Sequence, residues 1–469
     1  MERPRRNSDN GQVMHLILII LFLFLSVALI IKGCAGSENN KKDNAGIIPP
    51  AADHPDLLPE QSNDPQVVAS ASIGITGNLF MQDEIIESAA TNSGSYDFSE
   101  GFSYIANSYQ SFDFMIANLE TTLGGTDAGE YTGTNAFNCP DELIDALKNA
   151  GVDMLLTSNN HSYDTGHNGF IRTQEVLNQK GMLYTGSRLS TDTANYIVQN
   201  INGIKVGMMC YTHETGDTAE GNKTINDNTV AVEDTDLINS FNYRQMDQFY
   251  TEVENAKTAM EAEGAEFILF FIHWGNQYDL TPSNTQKKIA QNLCELGIDI
   301  IIGSHPHTVQ PVQLLTSESG ENTYCVYSVG NAISSERRNK IGQLPNGHTE
   351  DGIIFGVEFQ RWSDGTVKIS DMNITPLWVS QETAEEKSQY FVLPVDVSYN
   401  FYPSLSTFAD SVNSVVDPDR EPTNIEFYTP SDPTQISASY TRTMDIVLTG
   451  LTECRQALGL TPVSNVSGN

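Results

Sequence analysis

The sequence predicts an α/β layered fold with a site at the carboxyl ends of its strands, on three observations. First, residues 267–307 read as one βαβ unit. Phe267-Ile268-Leu269-Phe270-Phe271-Ile272 is an apolar run of the length of a strand buried on both faces, and it breaks into His273-Trp274-Gly275. Pro282 opens a helical pattern with Ile289, Ala290, Leu293 and Leu296 on one face. It stops at Gly297, and a second buried run, 298–302, ends in Gly303-Ser304-His305-Pro306-His307. Second, short apolar runs alternate with helical stretches from residue 67 onward, as layered α/β chains do. Third, several of these runs end in clusters of Gly, Asn, Glu or His, at the sheet edge where open α/β sheets build their sites.

Taken in order, the chain starts with Arg3, Arg5 and Arg6 ahead of an apolar run, 13–31, whose only polar members are His15 and Ser26. That run is long enough to cross a hydrocarbon core of ~30 Å as a helix. The expectation is a short cytoplasmic segment 1–12, a single-pass membrane anchor 13–31, and the bulk of the chain outside the cell membrane. A cleaved signal peptide has the same charged start and apolar centre. Ile31-Lys32-Gly33-Cys34 also resembles a lipoprotein processing site with Cys34 as the lipid-bearing residue, though Lys32 fits that pattern poorly. Residues 32–66 are rich in Asn, Asp, Ser, Pro and Lys and read as a flexible linker.

A main domain is expected over 67–380. Its first strand, 67–76, ends at Gly77-Asn78, and a helical segment at 102–109 leads to a strand at 112–117 that ends at Asn118-Leu119-Glu120. A helix at 140–150 leads to a strand at 152–157, then to Ser158-Asn159-Asn160-His161, Asp164-Thr165-Gly166-His167 and a helix stopping at Gly181. Asn202-Gly203 joins runs 195–200 and 204–211 as a hairpin. Residues 216–234 read as a polar surface excursion, and a long helix at 243–263 returns to the central unit. Strands follow at 309–315 and 324–329, the latter running into Gly330-Asn331, and then at 352–359 and 366–374. A C-terminal extension, 381–469, has one clear pattern, a helix at 434–458.

Charge excludes some partners. With 25 Lys and Arg against 60 Asp and Glu, the net charge of −35 repels nucleic acid and anionic headgroups alike. The cysteines show no C-x-x-C pairing, and Cys210, Cys294 and Cys325 lie in apolar runs where buried thiols are expected.

The chemistry lies in the strand-end residues. Imidazole, carboxylate and carboxamide oxygen are the donors that borderline divalent metals take. Glu120, Asn160, His273, His305 and His307 supply them, with His161 as a titratable group beside them. Each has a bland reading alone: His273 as a core histidine, Asn159-Asn160 as a turn, Glu120 as a helix-start carboxylate. His305-Pro306-His307 resists one, because alternate residues of an extended segment can face two neighbouring ions. One or two divalent ions are expected, of Mn, Fe or Zn type, suited to polarising a phosphate ester and activating water.

These motifs, in this order, resemble the CapA (PgsA) family of bacterial capsule and poly-γ-glutamate biosynthesis proteins, which are similar to calcineurin-like metallophosphatases. The resemblance covers about 67–375. It implies a four-layer α/β/β/α sandwich and a membrane-anchored extracytoplasmic protein that acts with a capsule polymer synthase on an anionic polymer. It also implies a bridging role for Glu120, ligand roles for Asn160, His273, His305 and His307, and a general-acid role for His161. One position departs from the family. Its first strand ends in Gly-Asp, and Asn78 stands here instead, which removes a negative charge from the metal shared with His307. The expectation is one metal held firmly and one poorly, with Asn78→Asp raising occupancy. Three functional classes remain open from the sequence: a metal-dependent phosphoesterase-like hydrolase, a weakly catalytic or non-catalytic partner of a polymer synthase, and a surface-binding module with a vestigial site.

Overall fold

The computed structural model describes residues 64–217, 222–344, 346–384, 387–395 and 434–462. The expected anchor at 13–31, Cys34 and nearly all of the linker lie outside them. Among the described residues, no helix is long and apolar enough to cross a membrane.

The chain first lays down β1 (Val67–Leu79), β2 (Phe114–Leu119), β3 (Met154–Leu156) and β4 (Leu183–Thr185) as neighbouring parallel strands. It then builds a second sheet from β5 (Ile197–Ile201), β6 (Ile204–His213), β7 (Ser240–Phe241), β8 (Phe267–His273), β9 (Ile300–Ser304), β10 (Val309–Thr316) and β11 (Asn322–Val329). The spatial order there is β7-β6-β8-β9-β11-β10, with β5 paired to β6. Finally it returns to the first sheet. On the side of β1 away from β2, the short β12 (Asn331–Ile333) pairs in parallel with its end, and β13 (Asp351–Trp362), β14 (Val367–Ala384) and β15 (Lys387–Pro394) extend the sheet antiparallel.

Side-chain alternation sorts these strands into layers. Ile73, Ile75 and Ile116 of the first sheet meet Met208, Leu269, Phe271 and Ile302 of the second in one buried core. The opposite faces carry helices. Met115, Ala117 and Leu119 back onto α1 (Asp83–Ala89), α2 (Glu142–Ala150) and α3 (Gly166–Lys180). Phe270, Ile272 and Ile301 back onto α4 (Met246–Ala262) and α5 (Asn284–Glu295). The layering is α/β/β/α. Local signals behave as their chemistry requires: α5 starts at a capping box of Ser283 and Gln286, and the β5–β6 turn places Asn202 and Gly203 at φ 50° and 90°.

Some details differ from the sequence expectation. The segment at 102–109 forms two single turns, Ser99–Phe102 and Ala106–Tyr109. Residues 216–234 are more than a polar excursion: Ile225 and Val230, with Leu237 and Ile238 just beyond, pack on Tyr163 and Phe170, and the buried Asp234 accepts from the Tyr163 hydroxyl at 2.5 Å. Strand β14 runs straight through residue 380, and β15 adds another strand, so the sheet continues past the expected domain boundary. Helix α6 (Thr434–Ala457) contacts both β10 and β14 and sends Met444, Val447, Leu451 and Cys454 into the core between the sheets. Arg442 fastens it to the buried Asp351 by two bonds, at 2.7 and 2.8 Å.

Candidate metal centre

The carboxyl ends of the parallel strands of both sheets meet at one edge. From the first sheet come Asn78 in β1, Asn118 in β2, Glu120 just past β2, and the loop Ser158-Asn159-Asn160-His161 after β3. From the second come His213 at the end of β6, His273 at the end of β8, and His305 and His307 just past β9. The local backbone is specialised. His305 and His307 sit at φ 98° and 56°, a left-handed conformation that non-glycine residues rarely hold, and such strain concentrates at functional sites. Gly77 permits an equally close approach, since a Cβ there would lie 2.0 Å from the Gly330 carbonyl oxygen. Gly77-Asn78 and Gly330-Asn331 thus form a matched pair, with Asn78 registered against Asn331.

Glu120, His273 and His305 are buried and bring one ligand atom each within 4.8 Å of one another. His273 Nε2 is 2.7 Å from Asn160 Oδ1, 3.0 Å from His305 Nδ1 and 3.4 Å from Glu120 Oε1. Four donors around one ion with bonds of ~2.1 Å stand ~3.4 Å apart, so this is a slightly contracted cage of the right size. Neither Glu120 oxygen has a hydrogen-bond partner, and His307 Nε2, 3.8 Å from Oε1, has none either. Buried carboxylates are ordinarily satisfied, so an orphaned one facing imidazoles fits a cation. The other His273 nitrogen, Nδ1, is 2.8 Å from the Ser304 hydroxyl, which can donate or accept and so serves either tautomer.

Charge divides the pocket. Burial pushes the Glu120 carboxyl above the usual range, although His307 and His161 oppose it. Burial, then neighbouring imidazoles, hold His273 and His305 well below the usual histidine range, which keeps their lone pairs available. His307 moves the other way: burial would lower it, but the Glu336 and Glu120 carboxylates and the Asn331 hydrogen bond outweigh that.

His161 borders the pocket, with Nδ1 committed to Asp164 Oδ2 at 2.7 Å, and Phe80 and Phe137 flank its ring. Asn78 lies beside His307, its amide nitrogen 3.4 Å from Nδ1 and its oxygen accepting from Asn118 at 2.9 Å. All seven residues singled out in the sequence, Asn78, Glu120, Asn160, His161, His273, His305 and His307, therefore come together. Sequence reasoning missed His213, whose Nδ1 is 3.1 Å from the His273 carbonyl and whose ring lies 4.9 Å from that of His305. Its place at the end of a strand next to β8 was the available signal. It also missed Glu336 and Tyr278, which line the His307 side, and nothing in the sequence pattern marks them.

Comparison with known proteins adds a family. A family model described as "Bacterial capsule synthesis protein PGA_cap" matches residues 72–336. The chain is 25% identical over 283 residues to the "Capsule biosynthesis protein CapA" of Bacillus anthracis, a match covering 59% of this chain and 63% of that relative, less than two thirds of its length. It is 22% identical over 295 residues to the "PGA biosynthesis protein CapA" of Bacillus subtilis (strain 168), covering 61% of this chain and 69% of that one. Among solved structures, a purple acid phosphatase from yellow lupin seeds aligns over 76% of this chain and 57% of its own at 10% identity, with a TM-score of 0.32, too low to carry weight.

Proposed function

Because this chain belongs to the bacterial capsule synthesis family PGA_cap, we propose that it takes part in making or exporting an anionic capsule polymer of the poly-γ-glutamate kind, using a divalent-metal centre at its strand ends. The observation that carries this reading is the fully buried Glu120, with neither oxygen hydrogen-bonded and one of them within 4.8 Å of ligand atoms of His273 and His305. Glu120, Asn160, His273 and His305 would hold one ion, of Mn, Fe or Zn type, and His307 with Asn78 would border a second. A cation there supplies Lewis-acid polarisation of an anionic ligand, whether a phosphate or a polymer carboxylate. The protein's own residues do the rest. Phe80 and Phe137 wall off water beside His161, and the strained His305-Pro306-His307 segment fixes two imidazoles in place. The apolar run 13–31 would tether the domain to the cell membrane, with the bulk of the chain outside beside a polymer synthase.

The test is Glu120→Gln in the full-length protein in a capsule-forming cell. Surface polymer should fall to background while the protein level is kept. Unchanged polymer would exclude a role for the centre. A mature N-terminus mapped at Cys34 or later would replace the uncleaved anchor by a lipid or a cleavage.

A second reading, a phosphoesterase-like hydrolase, is favoured by the His161–Asp164 pair. With Nδ1 engaged by Asp164, Nε2 is the atom left to hold a proton for a leaving group. Turnover of a generic phosphodiester with added manganese, lost in His161→Ala, would support it; no turnover would remove it.

A further inference from the structure

On the His307 side the structure holds a second buried carboxylate, Glu336, only 3% exposed. Its Oε1 accepts from the Tyr278 hydroxyl at 2.7 Å, and its Oε2 lies 3.4 Å from Asn331 Nδ2. Asn331 Oδ1 in turn is 3.0 Å from His307 Nδ1 and 3.3 Å from Asn78 Nδ2. The pattern continues behind Asn78. Asn118 Nδ2 donates to Asn78 Oδ1 at 2.9 Å, and Asn159 Nδ2 donates to Asn118 Oδ1 at 3.2 Å.

Asn159, Asn118, Asn78 and Asn331 therefore run nose to tail along the floor of the pocket, every amide nitrogen pointing towards Glu336. Such a row is directional. Each bond polarises the next, and a carboxylate at the accepting end strengthens the whole series. Asn331 Nδ2 shares its two hydrogens among Glu336, Ser334, Thr349 and the His307 carbonyl at 3.1–3.4 Å, so the Glu336 contact is long and its charge acts partly through space. His307 is the residue that receives this charge, through the bond from its Nδ1 to Asn331 Oδ1. A metal-ligating imidazole is made more basic by an acceptor at its far nitrogen.

We propose that Glu336 is the positioning carboxylate of the His307 corner, supplying through Asn331 the negative charge that a carboxylate at position 78 would supply directly. This rests on the metal-centre reading above and changes one expectation from the sequence. Asn78 is not simply a lost ligand; it is a donor in a row that leads to a carboxylate elsewhere. Asn78→Asp alone would set a carboxylate against Asn331 Oδ1, at the 3.3 Å now spanned by a hydrogen bond. Asn331 could turn its amide to meet that carboxylate only by turning its oxygen towards Glu336 and the Thr349 and His307 carbonyls, so it stays as it is. Changing both ends together, Asn78→Asp with Glu336→Gln, keeps the total charge and moves the carboxylate from the Glu336 side of Asn331 to position 78, 3.4 Å from His307 Nδ1.

The experiment equilibrates metal-free full-length protein with Mn²⁺ and counts bound metal by elemental analysis, for the unmodified protein, both single variants and the double variant. Thermal unfolding of each metal-free form checks folding. Two equivalents are expected in the unmodified protein and one in Glu336→Gln, with the second at least tenfold weaker. Asn78→Asp alone should bind the second ion no better than the unmodified protein, and the double variant should regain two. Regain would show that Glu336→Gln folds and lost only a charge. Tyr278→Phe, which keeps the charge, should keep both ions. Two equivalents in Glu336→Gln, tighter binding in Asn78→Asp alone, or no regain in the double variant would overturn the inference. A single equivalent in the unmodified protein would overturn it and leave the metal reading standing, whereas none at all would overturn that reading itself.

Discussion

The first sheet lines its edge of the pocket with Asn78, Asn118, Glu120, Asn159 and Asn160, whereas the second lines its edge with His213, His273, His305 and His307. Apart from His161 at the border of the first, oxygen donors lie on one lip and imidazoles on the other. The two lips are also held differently. The amides lock one another through side-chain hydrogen bonds, while His273 is oriented by a hydroxyl and His213 by a main-chain carbonyl. Neither sheet has a ligand set of its own, so the centre exists only at the spacing that the shared apolar core imposes. Packing between the sheets is thus part of the site's chemistry.

The largest test of this division takes one ligand from each lip. Glu120→Gln and His273→Ala should each weaken the better-held metal by more than ~100-fold, beyond the cost of losing an outer partner. His307→Ala should leave that metal in place. Elemental analysis checks all three; full stoichiometry after either of the first two would mean that the centre is not shared between the sheets. Next comes the strap across the sheets. Arg442→Ala leaves Asp351 buried without its bidentate partner and should cost ~3 kcal/mol of folding stability. Denaturant unfolding measures this, and the folded fraction should keep its metal.

A smaller effect is expected within the imidazole lip. Ser304→Ala removes the group on His273 Nδ1 and should weaken metal binding ~10-fold without abolishing it, as a competition titration with a chelator would show. The mildest test is pH. In the metal-free protein, His273 and His305 titrate below the ordinary 6.5, so the unfolded chain binds protons first and stability drops as pH falls below about 6.5. Glu120 works in the opposite sense, its raised value making ionisation costly as pH rises above 4.5. Away from the pocket, burial would raise Glu350, but Arg338, Arg337 and Trp378 hold it at about 2; its contribution, present above 4.5, is lost as pH falls towards that value. Melting curves should therefore show two separate acid losses, and His273→Gln should shrink only the upper one.

Much of this was legible in the residues themselves. Strand β8 and the start of β9 carry apolar side chains on both faces, which marks them as central and puts His273, His305 and His307 at or just past their ends. The same held for Glu120 and Asn160, each following a short buried run. What strand patterns cannot express is which ends face each other across two sheets, and that is why His213 and Glu336 escaped. Glu336 lies in an irregular segment after β12, and its partners are Asn331, five residues back, and Tyr278, 58 residues back, which no strand or helix period connects. Similarly, residue 380 looked like a boundary because site-like clusters stop there. The sheet continues past it, since strand pairing needs only alternation and not chemistry.

Helix α6 has a consequence for how the protein is made. Its Val447, Leu451 and Cys454 fill the space between sheets whose first strand is laid down at Val67, and β1 itself pairs with β13, hundreds of residues later. The faces turned towards helices are covered largely by neighbouring segments, but the core between the sheets is completed only by residues beyond 440, through contacts of very long sequence separation. Until that point the core between the sheets lacks the side chains of α6, and its strands are open to wrong partners. Truncations near the C-terminus, remote from every ligand, should therefore show up as lost yield and aggregation rather than as altered chemistry.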